Sequence, residues 1–536
     1  MRKVVFLALL LSCQCMWAGV RPESRMRRIA ASRLAGSADA ASKMDLLEST
    51  PSYYIYGKGK QGFVVVSTDD STTPVLGYSS TEYNAEDLPP AFKCWLKAVA
   101  ASAPCETTSI SYTVVPNFLP TTWGQGDPFN YLCPEIEGKK APSGCVSTAM
   151  SQIMYYYRYP VQGKGSGYYQ MDNTGGSRIP DDVKGVYQWD LMKPRYVGVS
   201  ISDEERLAIA TLLRDAGLAS HMTYGDGGSG AYCNDAALAF VNNFSYDGSS
   251  IRYMIKSFYS SEEWNSVIYE ELAARRPILM AGYDAAAGGH AFVFSGVDED
   301  GKIYVNWGWN GKADGYYEIT ALNPSDILGM NSSMKFNLGN EMIYGIQPSQ
   351  GGSDESLRLS GWACDETFTA TYQKIRNWLR VKTSFIYNIS LFPFTGEVKL
   401  YCESADGDYT KDRAYTYLDY SKTTIPSKYG YFNQAVTVKT TDLEPGRYFI
   451  YLVSQATEES VPQKVRYPGG LFQYVMVKDE TGALTIEEDD SADDIFSPIQ
   501  PAASVSTPAY DLIGRMVNSQ MRKGLYIMNG KKVLVR

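Results

Sequence analysis

The sequence predicts an α+β protein built from several folded units, and three observations lead to this prediction. A chain of 536 residues is too long for one hydrophobic core and suggests about three or four units. Its content of 44% hydrophobic and 13% aromatic residues is typical of a folded protein rather than a disordered one. In the central region, helical patterns come first and strand patterns follow, and this order favours an α+β arrangement.

The charge balance excludes one class of partner. The chain carries 59 Asp and Glu residues against 50 Lys and Arg residues, so its net charge is −9. No overall basic field exists that would attract the phosphates of a nucleic acid. We therefore expect no nucleic-acid partner.

The first residues resemble an export signal. An apolar run, Val4–Leu11, follows two basic residues and is too short to span a bilayer. The stretch Leu10–Cys13 weakly resembles a lipoprotein box, but ordinary cleavage near Gly19 is the preferred interpretation. Residues 1–19 are thus predicted to be a signal peptide, and the protein is expected to be secreted or at the cell surface.

Residues 20–117 are predicted to form a small α+β unit. A weak helical pattern covers Ala31–Met44, and Tyr53–Asp70 has the pattern of two strands around a Gly/Lys turn. Apolar residues at helical spacing then predict a helix over Ala91–Ala103. The polar stretch that follows, Pro104–Ser111, is a candidate boundary or processing site.

Residues 118–348 are predicted to mix helices with a later sheet. Helical patterns cover Glu204–Leu218 and Asp235–Asn243, and strand patterns cover Ala291–Val297 and Lys302–Trp307. This region is the α+β core of the predicted protein.

A Gly/Ser linker, Gly351–Ser356, leads into a region of short Tyr- and Val-rich strands. The clearest of these strands are Val398–Cys402 and Gly446–Ser454. Residues 355–485 are therefore predicted to be a β-sandwich of the immunoglobulin-like type. The sequence offers no chemical motif here, so an adhesive or spacer role is the expectation.

Cysteine usage predicts at least one free thiol. The chain has nine cysteines, two of them in the predicted signal, which leaves an odd number of seven. Export permits disulfides, and Cys364 with Cys402 is a plausible pair within the sandwich, although connectivity cannot be deduced from sequence.

Cys145 is the candidate nucleophile. It lies in SGCVSTAMSQIMYYYRYP, Ser143–Pro160, directly after a glycine and at the start of a predicted amphipathic helix. A thiol acts as a nucleophile only as the thiolate, and the partial positive charge at a helix N-terminus lowers its pKa. A small buried cysteine without reactivity is an equally frequent interpretation of this segment alone.

The chain has only two histidines that could assist such a thiol. His290 begins an alternating strand in AAAGGHAFVFSGV, where the preceding glycines let a substrate backbone come close. It is the predicted general base. His221 follows a helix C-terminus, and a structural role is the preferred interpretation for it. So few histidines also argue against a zinc enzyme.

Other polar and aromatic residues complete the candidate site. Asn306 at a strand end could orient an imidazole, and Trp307 with Trp309 could shield it from water. Gln125, on the glycine-rich loop WGQGDPFN, could donate its side-chain amide to an oxyanion.

Taken together, these residues resemble the streptopain family of secreted papain-like cysteine peptidases. The resemblance covers about Tyr53–Pro348. It rests on four segments in the family's order: GQGDPFNYL, GCVSTAMSQIMYYYRYP, GGHAFVFSGV and VNWGWNGKADGYYEITALNP. It implies a two-lobed papain-like fold behind an inhibitory pro-segment.

The resemblance also implies roles for single residues. Cys145 would be the nucleophile, His290 the proton acceptor and donor, and Gln125 the oxyanion-hole amide. Asn306 and Trp307 would orient and screen the histidine. The substrate cleft would be lined by Gly289 and Ser229.

The function implied is a secreted endopeptidase that is made as a zymogen and needs no metal or organic cofactor. Its partners would be protein substrates and its own pro-domain, which would be released by cleavage between about Cys105 and Pro120. Two alternatives stay open: a Cys/His acyltransferase of the transglutaminase type, and a surface adhesin in which the papain-like region is an inert scaffold.

The end of the chain carries a second resemblance. Residues 486–508 are an acidic linker, and residues 509–536 form a compact last unit containing YDLIGR, KGLYI and NGKKV. This unit resembles the C-terminal sorting domains of type IX secretion cargo. The type IX secretion machinery is therefore a further expected partner.

Overall fold

The structure is a computed structural model. It describes residues 19–101, 110–172, 175–284, 288–319, 337–349, 351, 361–459 and 461–489, with the strand residues 509–511, 516–517, 524–528 and 531–535. The predicted signal, Cys105 and most of the acidic linker lie outside these residues. We call 19–101 the N-terminal unit, 110–349 the central unit and 361–489 the C-terminal β-unit.

Six α-helices occur in the described chain: α1 Glu23–Ala35, α2 Pro90–Ala101, α3 Cys145–Tyr157, α4 Asp203–Ala219, α5 Cys233–Asn242 and α6 Ser261–Ala273. Among the residues described, none of these helices has the length and apolarity required to cross a membrane.

The strands of the N-terminal and central units are β1 Asp45–Ser49, β2 Tyr53–Gly57, β3 Phe63–Ser67, β4 Val75–Ser79, β5 Glu135–Ile136, β6 Lys139–Lys140, β7 Ser166–Met171, β8 Ile179–Asp182, β9 Thr223–Tyr224, β10 Arg252–Ile255, β11 Ile278–Asp284, β12 Gly288–Val297, β13 Ile303–Asn306, β14 Gly315–Tyr317 and β15 Asn337–Tyr344.

The remaining strands are β16 Trp362–Cys364, β17 Thr369–Gln373, β18 Trp378–Lys382, β19 Phe385–Asn388, β20 Gly396–Ser404, β21 Arg413–Asp419, β22 Gly430–Phe432, β23 Ala435–Lys439, β24 Gly446–Ala456, β25 Gln463–Lys464, β26 Tyr474–Lys478, β27 Leu484–Glu488, β28 Ala509–Asp511, β29 Met516–Val517, β30 Gly524–Met528 and β31 Lys531–Val535.

The N-terminal unit has the predicted α+β character. The strand pair expected around the Gly/Lys turn is β2 and β3, which are antiparallel, and the predicted helix that follows is α2. The first helix lies earlier than the sequence suggested, because α1 ends at Ala35 and Gly36 takes the left-handed conformation with φ 67°. Only a short 3-10 helix, Ala38–Lys43, follows it.

One antiparallel sheet joins the N-terminal and central units. Its ten strands lie in the order β1-β2-β3-β4-β14-β13-β12-β11-β15-β10. The junction is the pairing of β4 with β14, in which Gly77 lies opposite Tyr317 and Ser79 opposite Gly315. The N-terminal unit is thus fastened to the central unit by a backbone ladder as well as by side chains.

The central unit has two hydrophobic clusters that meet at β12. Ala291 and Val293 belong to a cluster built mainly from α3, α4 and α5. Phe292 and Phe294 belong to a second cluster, which contains the sheet, α6 and residues of α2. Because strand side chains alternate between faces, β12 supplies both clusters from successive residues. The predicted helices and strands of this region are confirmed as α4, α5, β12 and β13.

The C-terminal β-unit consists of antiparallel sheets around one core. The sheet orders are β16-β19-β22, β17-β18-β23 and β21-β20-β24-β26-β27. The two strands expected most clearly from sequence are confirmed as β20 and β24. The pairing of Cys364 with Cys402 is wrong, since both thiols are free within this core. In a packed apolar core, two cysteines serve as small hydrophobic side chains.

The last four strands, β28 to β31, form one sheet in the order β29-β28-β30-β31. A compact β unit was expected at this end of the chain, and these strands agree with that expectation. Its role in secretion stays a prediction.

Candidate active site

The start of α3 is built around a glycine that no other residue could replace. Gly144 has φ 89°, a conformation that L-residues rarely adopt. A Cβ at this position would lie 2.8 Å from the sulfur of Met222 and 3.0 Å from the carbonyl oxygen of Ser229. The chain therefore turns tightly into the helix, and Cys145 becomes its first residue.

Cys145 is a free thiol with only 9% of its surface exposed. Burial raises the pKa of this thiol, although hydrogen bonds from the backbone N–H groups of Ala291, Val146 and Cys145 itself lower it. The sequence argument expected a lowered pKa, and in this form of the chain that expectation is wrong. The donors of the helix start are present as expected, but the cost of burying a thiolate outweighs them.

The position of His290 relative to the thiol is set by β12. Ala291, whose N–H reaches the Cys145 sulfur, directly follows His290 on β12. The hydrogen bonds that lower the pKa of the thiol come from backbone N–H groups. The Nε2 atom of His290 is buried. Strand alternation assigns His290 to the face of Phe292, opposite the face that meets α3.

The side chain of Asn306 is held by groups other than His290. Its Nδ2 donates to the carbonyl oxygen of Thr121 at 2.7 Å. Its Oδ1 accepts from Nε2 of Gln152 at 3.1 Å and from the backbone N–H of Gly308 at 3.0 Å. Asn306 therefore connects the end of β13 to α3, while its predicted contact with the imidazole is not made in this form.

Trp307 is almost fully buried in a cluster of aromatic side chains. Its ring centroid lies 5.2 Å from that of Phe292, 5.5 Å from that of Tyr317 and 5.9 Å from that of Phe92. Its indole N–H donates to the carbonyl oxygen of Ala313 at 2.9 Å. Trp307 thus covers the face of β12 to which alternation assigns His290, with a side chain of the N-terminal unit packed on it.

The backbone N–H of Trp307 donates to Oδ1 of Asp314 at 2.8 Å. Asp314 is buried, and its second oxygen, Oδ2, has no hydrogen-bond partner among the described residues. Burial raises the pKa of Asp314 to about 8 against the effect of that hydrogen bond. The carboxyl group is therefore largely protonated at neutral pH.

Gln125 lies on a loop that crosses the start of α3. Its carbonyl oxygen accepts from the N–H of Ser143 at 2.9 Å, two residues before Cys145. The side-chain amide makes no hydrogen bond to any residue that the structure describes. Gln125 therefore lies beside the start of α3, and its role as an oxyanion-hole amide stays a prediction.

The predicted cleft residues lie on two sides of the helix start. Ser229 approaches Gly144 through its carbonyl oxygen, and its Oγ is buried with no partner among the described residues. Gly289 is exposed, next to His290 in β12. The role of both residues in a substrate cleft stays a prediction.

His221 contacts an aromatic ring and a carboxylate. Its ring stacks on Tyr168 with 4.1 Å between centroids and an interplanar angle of 10°. Its Nδ1 lies 3.5 Å from a carboxylate oxygen of Asp235. Both contacts favour the structural role preferred from sequence.

Two supporting residues were missed in the sequence. Gln152 and Thr121 are fully or almost fully buried, and the hydroxyl of Thr121 donates to Oε1 of Gln152 at 2.8 Å. A glutamine seven residues after Cys145, on a helix that is buried over most of its length, was the available signal. A buried amide needs partners, and those partners prove to be Thr121 and Asn306.

Comparisons with known proteins show which family the chain is similar to. Residues 123–317 match the Peptidase C10 family, and residues 23–103 match the Spi protease inhibitor family. Streptopain of Streptococcus pyogenes is 31% identical over 323 residues, which cover 55% of this chain and 80% of streptopain. The thiol protease/hemagglutinin PrtT of Porphyromonas gingivalis is 32% identical over 55% of this chain, but the match spans only 37% of PrtT.

A solved structure of a cysteine protease zymogen is also similar to this chain. The prointerpain A fragment of Prevotella intermedia is 33% identical, with a TM-score of 0.51, and the match covers 57% of this chain and 99% of that fragment. The match of residues 23–103 to the Spi protease inhibitor family covers the N-terminal unit, so this unit is an inhibitor-like pro-domain. The chain therefore belongs to the streptopain-like cysteine peptidases of the Peptidase C10 family.

Proposed function

We propose that the protein is a secreted endopeptidase, made as a zymogen, in which Cys145 and His290 cleave peptide bonds through a thioester intermediate. The thiol gives its proton to the imidazole, and the sulfur bonds to the peptide carbonyl carbon. The C–N bond breaks as the amine leaves with that proton. Water, deprotonated by His290, then attacks the thioester and releases the acid and the thiol.

One observation carries the proposal. The N–H of Ala291 reaches the Cys145 sulfur, so the residue that follows His290 already touches the nucleophile. A rearrangement at the start of β12 would turn the imidazole towards the thiol, because strand alternation assigns it to the opposite face of the strand. The burial of Cys145, which raises the pKa of its thiol, supports a latent form.

The remaining site residues have supporting positions. The free amide of Gln125 beside the helix start would donate to the oxyanion, together with the backbone N–H of Cys145. Asn306, fixed by Gln152, and Trp307 would orient and screen His290 after activation. Gly289 and Ser229 would line the substrate cleft between the two lobes of a papain-like fold.

Activation would require release of the N-terminal unit. Phe92 of this unit packs on Trp307, and β4 pairs with β14, just beyond the loop that carries Trp307. Loss of these contacts would free the segment that follows Asn306. The processing site would lie in the connection between about Cys105 and Pro120.

Export and sorting complete the proposal. Residues 1–19 would direct the chain across the inner membrane, and residues 509–536 would address it to type IX secretion. Support for export comes from the apolar run Val4–Leu11 after two basic residues and from the terminal segments YDLIGR, KGLYI and NGKKV. The mature enzyme would act outside the cell, or at its surface, on protein substrates.

The test compares the full chain with its Cys145→Ala variant in the presence of a reducing agent and casein. We expect the native chain to lose its N-terminal unit and fragment casein, and the variant to do neither. His290→Ala should abolish turnover, while the matched variant His221→Ala should retain most of it.

Two outcomes would contradict the proposal. Equal losses from the two histidine variants would mean that His290 is not the proton-transfer residue. A native chain that binds host matrix, yet neither matures nor cuts casein, would favour the adhesin alternative. Transfer of acyl groups to added amines, without net hydrolysis, would favour the acyltransferase alternative.

A further inference from the structure

The C-terminal β-unit is docked onto the central unit by specific contacts. Arg466 forms an ion pair with Glu263 at 3.1 Å, and its guanidinium lies 3.8 Å from the ring centroid of Tyr259. A backbone hydrogen bond of 2.8 Å joins Gly469 to Ser257. These contacts are partly buried and involve several groups. They hold the β-unit in a defined position on the central unit, in addition to the covalent linker.

This docking places one loop of the β-unit beside the candidate cleft. The Nζ of Lys428 donates to Oδ1 of Asn234 at 2.9 Å and lies 4.8 Å from the ring centroid of Tyr232. Both partners are at the start of α5, within five residues of Ser229, whose carbonyl oxygen touches Gly144. Five residues span at most about 18 Å, so the loop is within a short peptide's reach of Cys145.

The strand after Lys428 is an edge strand. In the described chain, β22 (Gly430–Phe432) pairs only with β19 and ends its sheet. Tyr429 and Phe432 are 66% and 70% exposed. An exposed edge offers backbone N–H and C=O groups to a further strand.

The two faces beside this edge are aromatic. Phe432 stacks on Phe385 at 4.3 Å, and Tyr431 stacks on Tyr420 at 5.3 Å. Side chains of a strand alternate between faces, so an added strand with apolar residues would find an apolar surface on either side. An edge strand with flanking pockets is the arrangement by which extended peptides are recognised through strand addition.

We propose that β22 is an exosite that binds the protein substrate itself, as an unfolded, extended polypeptide with apolar side chains, while a neighbouring part of the same chain lies in the cleft at Cys145. The inference rests on the proposed endopeptidase function. Its occupant is a substrate polypeptide because β22 begins two residues after Lys428, whose side chain contacts the start of α5 close to the loop that carries Ser229.

Binding at two places joined by one chain raises the affinity for long substrates only. The second contact is intramolecular once the first has formed, so its effect depends on a peptide long enough to reach both. A short peptide that fills only the cleft gains nothing from β22. Substrate length is therefore the variable that separates this role from a structural one.

The experiment uses the full chain after maturation and the double variant Tyr429→Lys/Phe432→Lys, which keeps the backbone of β22 but adds charge to the edge. The control is Tyr409→Lys, an aromatic residue of similar exposure, 68%, elsewhere on the β-unit. A single variant, Phe432→Ser, replaces the double variant if that one fails to fold. Each is measured with reduced, denatured casein and with a short fluorogenic peptide.

We expect the edge variants to raise KM for denatured casein about three- to tenfold, equivalent to about 0.6–1.4 kcal/mol, because cross-strand side-chain contacts with the substrate are lost. Hydrolysis of the short peptide should not change, and Tyr409→Lys should resemble the native enzyme with both substrates. An unchanged KM for casein, or an equal loss with both substrates, would overturn the exosite. Absence of hydrolysis in the native enzyme would instead refute the proposed function.

Discussion

The N-terminal unit and the C-terminal β-unit both adhere to the central unit, but by different means. The N-terminal unit extends the central sheet through β4 and β14, and its Phe92 packs on Trp307 at the candidate site. The β-unit adds no strand to that sheet among the described residues and is held mainly by side chains such as Arg466 and Lys428. The first attachment covers Trp307 of the candidate site, whereas the second is made to α5 and α6.

The difference indicates which unit can regulate the enzyme. Because the N-terminal unit contacts the segment that carries Asn306 and Trp307, its departure must change the surroundings of that segment. The β-unit contacts α5 and α6 from outside, and so it can remain in place during catalysis. The following predictions test this contrast, from the largest expected effect to the smallest.

The largest effect is expected for Trp95→Ala. Trp95 is fully buried, its ring lies 4.8 Å from that of Tyr317, and its indole N–H donates to the carbonyl oxygen of Glu318 at 3.0 Å. Removal of such a side chain costs about 3–5 kcal/mol. We expect lower stability in urea unfolding of the Cys145→Ala zymogen and, in the active chain, faster release of the N-terminal unit.

The control is Trp95→Phe, which keeps an aromatic ring but loses the indole donor and should give a smaller effect. Unchanged maturation in Trp95→Ala would mean that the aromatic contact does not restrain activation.

The second effect concerns the pH dependence of stability and the buried Asp314. Its pKa of about 8 in the folded chain exceeds the usual value near 4, so the folded chain holds one more proton than the unfolded chain between these limits. The protonated Asp314 therefore makes its full contribution to the free energy of unfolding below about pH 4. This contribution decreases as the pH rises towards 8, by up to about 1.4 kcal/mol per pH unit.

Asp314→Asn replaces the carboxyl group by a neutral group that can still accept from Trp307. We expect the variant to lose this part of the pH dependence, so that its melting temperature changes less between pH 5 and pH 8 than that of the Cys145→Ala zymogen used as the parent. Parallel pH profiles for the parent and the variant would refute the assignment.

The third effect contrasts the two interfaces directly. Arg33 pairs with the buried Asp298 at 2.7 Å across the N-terminal interface, and Arg466 pairs with Glu263 across the other. Breaking either partly buried pair should cost about 1–3 kcal/mol. We expect Arg33→Ala to accelerate maturation and Arg466→Ala to leave its rate unchanged, as measured by gel analysis of the released unit.

Faster maturation in both arginine variants would remove the distinction between the two attachments.

The smallest effect is expected for Lys312→Ala, which breaks an ion pair with Asp87 at the same interface as Arg33. Both side chains are more than 40% exposed, so the pair should contribute no more than about 1 kcal/mol. We expect maturation close to that of the native chain. A change as large as that of Arg33→Ala would show that exposure is a poor guide at this interface.

Local patterns allowed much of the fold to be predicted. α4 is the clearest case, because the helical pattern predicted over Glu204–Leu218 is confirmed as Asp203–Ala219. The residues at the start of α3 likewise predicted a helix that begins at Cys145. In both cases the information lies within a few neighbouring residues.

Contacts between distant segments could not be predicted in the same way. Nothing in β4 or β14 indicates that these strands pair, since they are separated by more than 230 residues and an edge strand accepts many partners. The position of Cys145 at a helix start was predicted, but the raised pKa was not, because burial depends on the whole fold. The bonds from Asn306 to Thr121 and Gln152 depend on the same long-range packing.

The pairing of β4 with β14 also constrains the enzyme after maturation. Once β4 has gone, Gly315–Tyr317 becomes the border of the remaining sheet, and the ring of Tyr317 loses its cover from Trp95. A newly exposed edge strand can pair with strands of other chains, and exposed apolar rings beside it favour aggregation. Because β14 has only three residues, it offers few backbone groups for such pairing. The solubility of the mature enzyme therefore depends on the shortness of this strand.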